Sequence, residues 1–190
     1  MNVRAFRNFP LFLGIGFFVL GSVFTGCGYY FRATGAPMGI KLDSLAIPMV
    51  ESTSSNIGFE AAFTKNVRDK FISQGKVPLV STEEAQAVLS GRVYDIRIEP
   101  LSYRTEQQLV SGVLTTFEVT TSRRLVVKLE MQLKDMKTGK VIWHEKAIEE
   151  KGTFAVSEDP LVTQFNQRLA LEVIARTLAD RIFLKTMERF

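Results

Sequence analysis

Between Thr115 and Leu133 the side chains alternate with a period of two. Phe117, Val119, Leu125, Val127, Leu129, Met131 and Leu133 share one parity. Glu118, Thr120, Ser122, Arg124, Lys128, Glu130, Gln132 and Lys134 share the other, with Val126 as the one sizeable apolar exception. Successive residues of a strand point to opposite faces, so this pattern predicts a long strand with one buried and one wet face. A chain that must bury one face of such a strand needs a covering layer. DMKTGK at 135–140 then predicts a hairpin turn, with Gly139 free to take a positive φ. Val141 to Ile148 returns as the partner strand and carries Trp143.

The rest of the chain supplies the cover. Phe59, Phe63, Val67 and Phe71 recur every four residues within Gly58 to Gln74, which predicts a helix with one apolar stripe. Gly75 is its natural stop. Asp159-Pro160 reads as an N-cap followed by the first helical position, opening a second helix that runs almost to the end of the chain. Its rows Phe165, Leu169, Val173 and Ala170, Ile174, Leu178, Ile182 together predict a wide buried face. Ser44 to Val50 is a short apolar strand, and Pro48 places it at an edge or bulge. Val77 to Val80 is a very short strand. Ser81 and Glu84 have the spacing of a capping box and predict one helical turn ending near Ala87. Val88 to Ile98 is a further strand, closed by Pro100, in which Gly91 marks a bulge or a close backbone approach. Residues 100–113 read as a long connection or a splayed hairpin end. The expected fold is α+β: a two-layer sandwich with two helices packed on one face of a mostly antiparallel four-stranded sheet.

The start of the chain reads differently. Arg4 and Arg7 precede an uncharged apolar run from Phe9 to Val23, and Thr25-Gly26 lead into Cys27, the only cysteine. That is the pattern of a secretory signal peptide, and the run is shorter than the roughly 20 residues a permanent spanning helix needs. The segment resembles a bacterial lipobox, with Phe24 where leucine is usual. Cys27 is then the lipidation site, the thiolate taking up diacylglycerol before cleavage makes it the new N-terminus. Gly28 follows it rather than the aspartate of inner-membrane retention, so outer-membrane sorting is the expectation. The domain reading is 1–26 signal peptide, 27–40 lipidated tether and 41–190 a single α+β domain. A lone cysteine excludes an internal disulfide and a cysteine zinc cluster. Of the 24 basic residues two lie in the signal, leaving 22 against 20 acidic ones. A mature part so close to neutral gives no support for nucleic-acid binding.

Catalytic constellations are missing from the sequence, and no cofactor or metal is implied. His144 is the only histidine and reads as a solvated strand residue. Glu83-Glu84 and Glu149-Glu150 are sequence neighbours, which a strand sends to opposite faces. What remains is surface. Arg123, Arg124 and Lys128 are candidate contacts for a partner or a phosphorylated lipid, with Arg92 and Arg104 nearby, since arginine pairs with phosphate in a bidentate fork.

The order of motifs carries a resemblance. CGYYF at 27–31 is followed by SLAIPMVES at 44–52, GFEAAFTKNVRDKF at 58–71, GKVPLV at 75–80, EEAQAVLSGRV at 83–93, and LEMQLKD with GKVIW across 129–143. A long C-terminal helix closes the series, with Gln86 standing where relatives commonly have Asp. In this order the chain resembles the LptE family of lipopolysaccharide-assembly lipoproteins over nearly all of 27–190. The resemblance implies a two-helix, four-strand fold and a non-enzymatic role as a plug in the large outer-membrane β-barrel that inserts lipopolysaccharide into the outer leaflet. Lipopolysaccharide itself is an implied ligand. A similar "A-x-x-L-x-G" strand with a later TGK hairpin also occurs in curli-secretion lipoproteins and in activators of peptidoglycan synthases, which keeps another envelope complex as the alternative.

Overall fold

Helix α1 (Phe59–Gln74) and helix α2 (Pro160–Met187) lie on one face of a sheet built from β1 (Leu45–Ala46), β2 (Glu51–Ser52), β3 (Ala87–Val110), β4 (Val113–Asp135) and β5 (Val141–Ala155). The computed structural model describes residues 42–53 and 58–187. Strand order is β1-β3-β4-β5, with β2 also on β3. β3, β4 and β5 are antiparallel to one another, while β1 and β2 run parallel to β3. The expected α+β arrangement of two helices on a mostly antiparallel sheet is therefore what the chain forms.

The edge strand shows how sequence becomes structure. Leu45 pairs with Ala87 and Glu51 with Arg92, so one residue of register is lost between the two pieces. Pro48 lies in that gap, and its missing N–H is why the segment is two short pieces on one edge. The short strand predicted at 77–80 survives as a single bridge from Leu79 to Leu45. Ser81 to Glu84 forms a turn closed by the Glu84 N–H on the Ser81 carbonyl at 3.2 Å. The expected helical turn is absent because β3 already starts at Ala87.

Inward parity fills the core. Leu125, Val127, Leu129, Met131 and Leu133 are all fully buried, and so are Phe63 and Val67 of the α1 stripe, with Phe59 and Phe71 nearly so. Gly75 ends α1 as expected, its N–H donating to Ile72 and Phe71. Asp159 caps α2 through a 2.8 Å hydrogen bond from the Leu161 N–H. Gly91 is a close approach: a Cβ there would lie 2.5 Å from the Glu130 carbonyl oxygen, besides meeting the Met131 side chain.

The buried face of α2 differs from expectation. Ala170, Ile174, Leu178 and Ile182 are buried, but the row Phe165, Leu169, Val173 is at least half exposed. The second buried row is Ala175, Ala179 and Phe183. The reason is α1, which lies on that flank: Phe183 meets Phe71 edge-on at 5.0 Å, and Lys70 pairs with Asp180 at 2.7 Å. Two alanines let the helices approach closely, and the Phe165 row lies on the other flank, where Leu169 and Val173 border a groove beside β5.

Of the two readings of residues 100–113, the hairpin end is the one the structure bears out, paired to its turn rather than splayed, and the long connection is not. β3 runs to Val110 and β4 starts at Val113, joined by the two-residue turn Ser111-Gly112 with φ of 52° and 82°. Two positive φ values make the tight hairpin turn that matches strand twist. Pro100 does not close β3, because among the described residues that edge of β3 has no paired strand beyond Val93 to lose a hydrogen bond. β5 ends at Ala155 opposite Ser122. Residues 103–110 and 113–120 thus form a two-stranded ribbon projecting from the sheet, roughly 26 Å long at about 3.3 Å per residue. Register shifts on both strands, around Leu101 and Thr121, mark its root. There Ser102 Oγ lies 2.9 Å from Thr121 Oγ1 and 2.5 Å from Ser122 Oγ.

Candidate functional site

The sheet face away from the helices is the candidate surface. β4 sends Arg124, Val126, Lys128, Glu130 and Gln132 to it. The register brings Arg92, Asp95, Arg97 and Glu99 alongside from β3, and His144, Glu149, Lys151 and Thr153 from β5. Val126, the exception in the polar parity, is buried between its register partners Arg97 and Lys151, a position where long alkyl stems can cover an apolar neighbour.

Charges of both signs interleave here. Arg92 pairs with Glu130 at 3.2 Å, and Arg97 with Asp95 at 3.0 Å and Glu99 at 3.9 Å. Glu149 sits between Lys151 at 2.8 Å and Lys128 at 3.5 Å. Its carboxyl is held below the usual value, chiefly by the hydrogen bond from Lys151 and against the opposing effect of burial. Each pair is partly exposed and contributes little alone, but the lattice keeps long side chains ordered over a wet face. A shallow pocket of about 270 Å³ opens among Ser90, Arg92, Glu130, Gln132 and His144. His144 is exposed, as expected. Among the described residues no group of three or more histidine, cysteine or acidic side chains could hold a metal, and no helix is long and apolar enough to cross a membrane.

The three basic candidates are not brought together. Arg124 and Lys128 share the outer face, roughly 13 Å apart along the strand. Arg123 points to the helix side, with Pro100 and Phe154 as register partners. Lys128 is engaged by Glu149, Arg92 by Glu130, and Arg104 by Glu106 at 2.5 Å and Glu158 at 3.1 Å. Among the described residues neither Arg123 nor Arg124 has an ion-pair partner, although Glu99 is the cross-strand neighbour of Arg124. An incoming phosphate would compete with Glu149 for Lys128 but would find both arginine forks unoccupied. Sequence reasoning missed Arg97 and Lys151. Their parity was readable, but the register that places them beside Arg124 and Lys128 is a long-range property. Cys27 lies outside the described residues.

Among the described residues the helix side carries a second unpartnered feature. Leu161, Phe165, Leu169 and Val173 make a strict four-residue row, all exposed, beside a groove of about 450 Å³ lined in part by Gly152, Phe154 and Asn166.

Comparison with known proteins adds the following. A family model described as LptE, lipopolysaccharide-assembly, matches residues 42–186. A search of curated protein sequences finds no match. Solved structures similar to this chain include the rare lipoprotein B of Shewanella oneidensis, at 16% identity over 74% of this chain and 92% of that one, TM-score 0.46. A minor lipoprotein from Acinetobacter baumannii is similar at 17% identity over 77% and 91%, TM-score 0.42.

Proposed function

This chain belongs to the LptE lipopolysaccharide-assembly family, and we propose that it is a non-enzymatic lipoprotein of the outer membrane that plugs and supports assembly of the β-barrel translocon for lipopolysaccharide. The observation that carries this reading is the family match across the whole folded domain. On this reading Cys27 bears the lipid anchor on the periplasmic face, the body occupies the lumen of the large barrel, and lipopolysaccharide is a direct ligand.

The physics of the outer face supports the role. The interior of an outer-membrane barrel is polar and wet. A plug there needs a stiff surface that stays hydrated, and an ion-paired sheet face backed by a dense core meets both needs. Arg123, Arg124 and Lys128 are the proposed contacts with the phosphates of lipopolysaccharide or with acidic residues of the barrel. Arginine without a competing carboxylate can offer its full planar fork.

Mild-detergent capture of the tagged full-length protein from envelopes, with mass spectrometry of what accompanies it, tests the reading. The expected result is a stoichiometric large outer-membrane β-barrel. Recovery of a peptidoglycan synthase with no barrel overturns it. The anchor is tested separately: Cys27→Ala is expected to leave an uncleaved precursor at the inner membrane, and unchanged acylation and sorting would remove Cys27 from the account.

A further inference from the structure

The end of the projecting ribbon has a side-chain order that neither the sheet core nor the plug role uses. Leu109 opposes Leu114 on one face, and Val110 opposes Val113 on the other. Their exposures are 68%, 63%, 45% and 65%. Behind them come Gln108 opposite Thr115 and Gln107 opposite Thr116, polar but uncharged. The first charges are Glu106 and Glu118, opposite Phe117 and Thr105. From Gln107 to Phe117 the chain carries no charge.

We propose that the Ser111-Gly112 tip inserts into the acyl-chain region of a lipid bilayer, with Leu109, Val110, Val113 and Leu114 as the immersed residues. Three features single out lipid. The aliphatic side chains face both sides of the ribbon, whereas a protein groove covers one side. The order apolar, neutral polar, charged follows the polarity profile of a leaflet. Two residue pairs of tip rise roughly 7 Å, and the two pairs of neutral collar about 7 Å more. A headgroup layer is about 5–7 Å thick, so the collar spans it and leaves Glu106 and Glu118 in water. Insertion also has a built-in stop. The free edges of a two-stranded ribbon expose N–H and C=O groups, which hydrocarbon does not tolerate over any length. The ribbon does not span, because Thr105, Gln107, Thr116 and Glu118 make one face polar and Glu106, Gln108 and Thr115 the other.

The tip lies at the end of β3 remote from Leu42, about 75 Å along the strand from Ala87. Tip insertion would therefore hold the far end of the molecule, and it goes beyond the plug reading in requiring that the ribbon project clear of the barrel lumen.

The test places tryptophan at the tip of the full-length protein in vesicles whose phospholipids carry brominated acyl chains. Trp143 is buried and supplies a constant background. In Leu114→Trp, and independently in Leu109→Trp, most of the added emission is expected to be quenched. In Leu161→Trp, exposed on α2 away from the tip, it is expected to persist. Unquenched emission at both tip positions overturns the proposal, as does equal quenching at position 161, which would mean that the body lies flat on the membrane. A tip tryptophan that escapes bromine and shifts to the blue only when the barrel is added overturns it in favour of protein docking.

Discussion

β4 lives in two environments. From Leu125 to Leu133 its alternate side chains are fully buried under the helices, with β3 and β5 on either side. From Val113 to Thr120 the same strand has, among the described residues, one neighbour and no cover, with Phe117 and Leu114 in the open. Apolar alternation continues from one half to the other, so periodicity alone does not make a core. Burial needs a second layer, and that layer ends where β5 stops at Ala155 and where the buried face of α2 begins at Ala170.

The contrast predicts unequal responses to mutation. Leu129→Ala, in the centre of the buried half, is expected to lower stability by about 2–5 kcal/mol through lost transfer energy and a residual cavity, measured by urea denaturation. A loss well below that would mean that the helices collapse onto the sheet. Gly91→Ala forces β3 and β4 apart at the Glu130 carbonyl and is expected to cost about 1–3 kcal/mol as overpacking does. The same measurement reads it, and a neutral result would place the strands farther apart than described. Phe165→Ser, in the exposed row of α2, is expected to change stability by no more than about 0.5 kcal/mol, as surface substitutions do. A core-sized loss would mean that the row is covered. Leu114→Ser at the tip should fall within the same limit while changing contact with lipid.

A smaller effect concerns pH at the opposite end of β4. The Asp135 carboxylate accepts hydrogen bonds from the backbone N–H groups of Thr138 and Lys137, at 2.8 and 2.9 Å. The Thr138 bond is the main cause of a pKa below the ordinary 3.8. Because the folded value is depressed, its contribution is complete above the ordinary value and is lost as pH falls through the folded one. Stability curves of wild type and Asp135→Ala should therefore converge on acidification below the ordinary carboxylate range. Curves that stay parallel would remove the turn carboxylate as a contributor.

Much of this was legible in the residues. The α1 stripe, the Gly75 stop, the Asp159 cap, the close approach at Gly91 and the parity of 125–133 are local properties, set by periodicity, capping chemistry and the volume of a side chain. Of the candidate contacts, the shared face of Arg124 and Lys128 was legible from parity, but their partners were not: Glu149 reaches Lys128 only because β5 pairs with β4 in this register.

Tertiary structure decided what depends on neighbours distant in sequence. It chose the Ala175 row over the Phe165 row because α1 occupies that flank of α2. It decided between connection and hairpin end for residues 100–113 because the tight turn at Ser111-Gly112 lets each half satisfy the other's backbone. Among the described residues it left the far half of the hairpin uncovered because β5 ends at Ala155. The sequence determined which side chains share a face. Which faces found a partner was decided by the lengths and register of elements far apart in the chain.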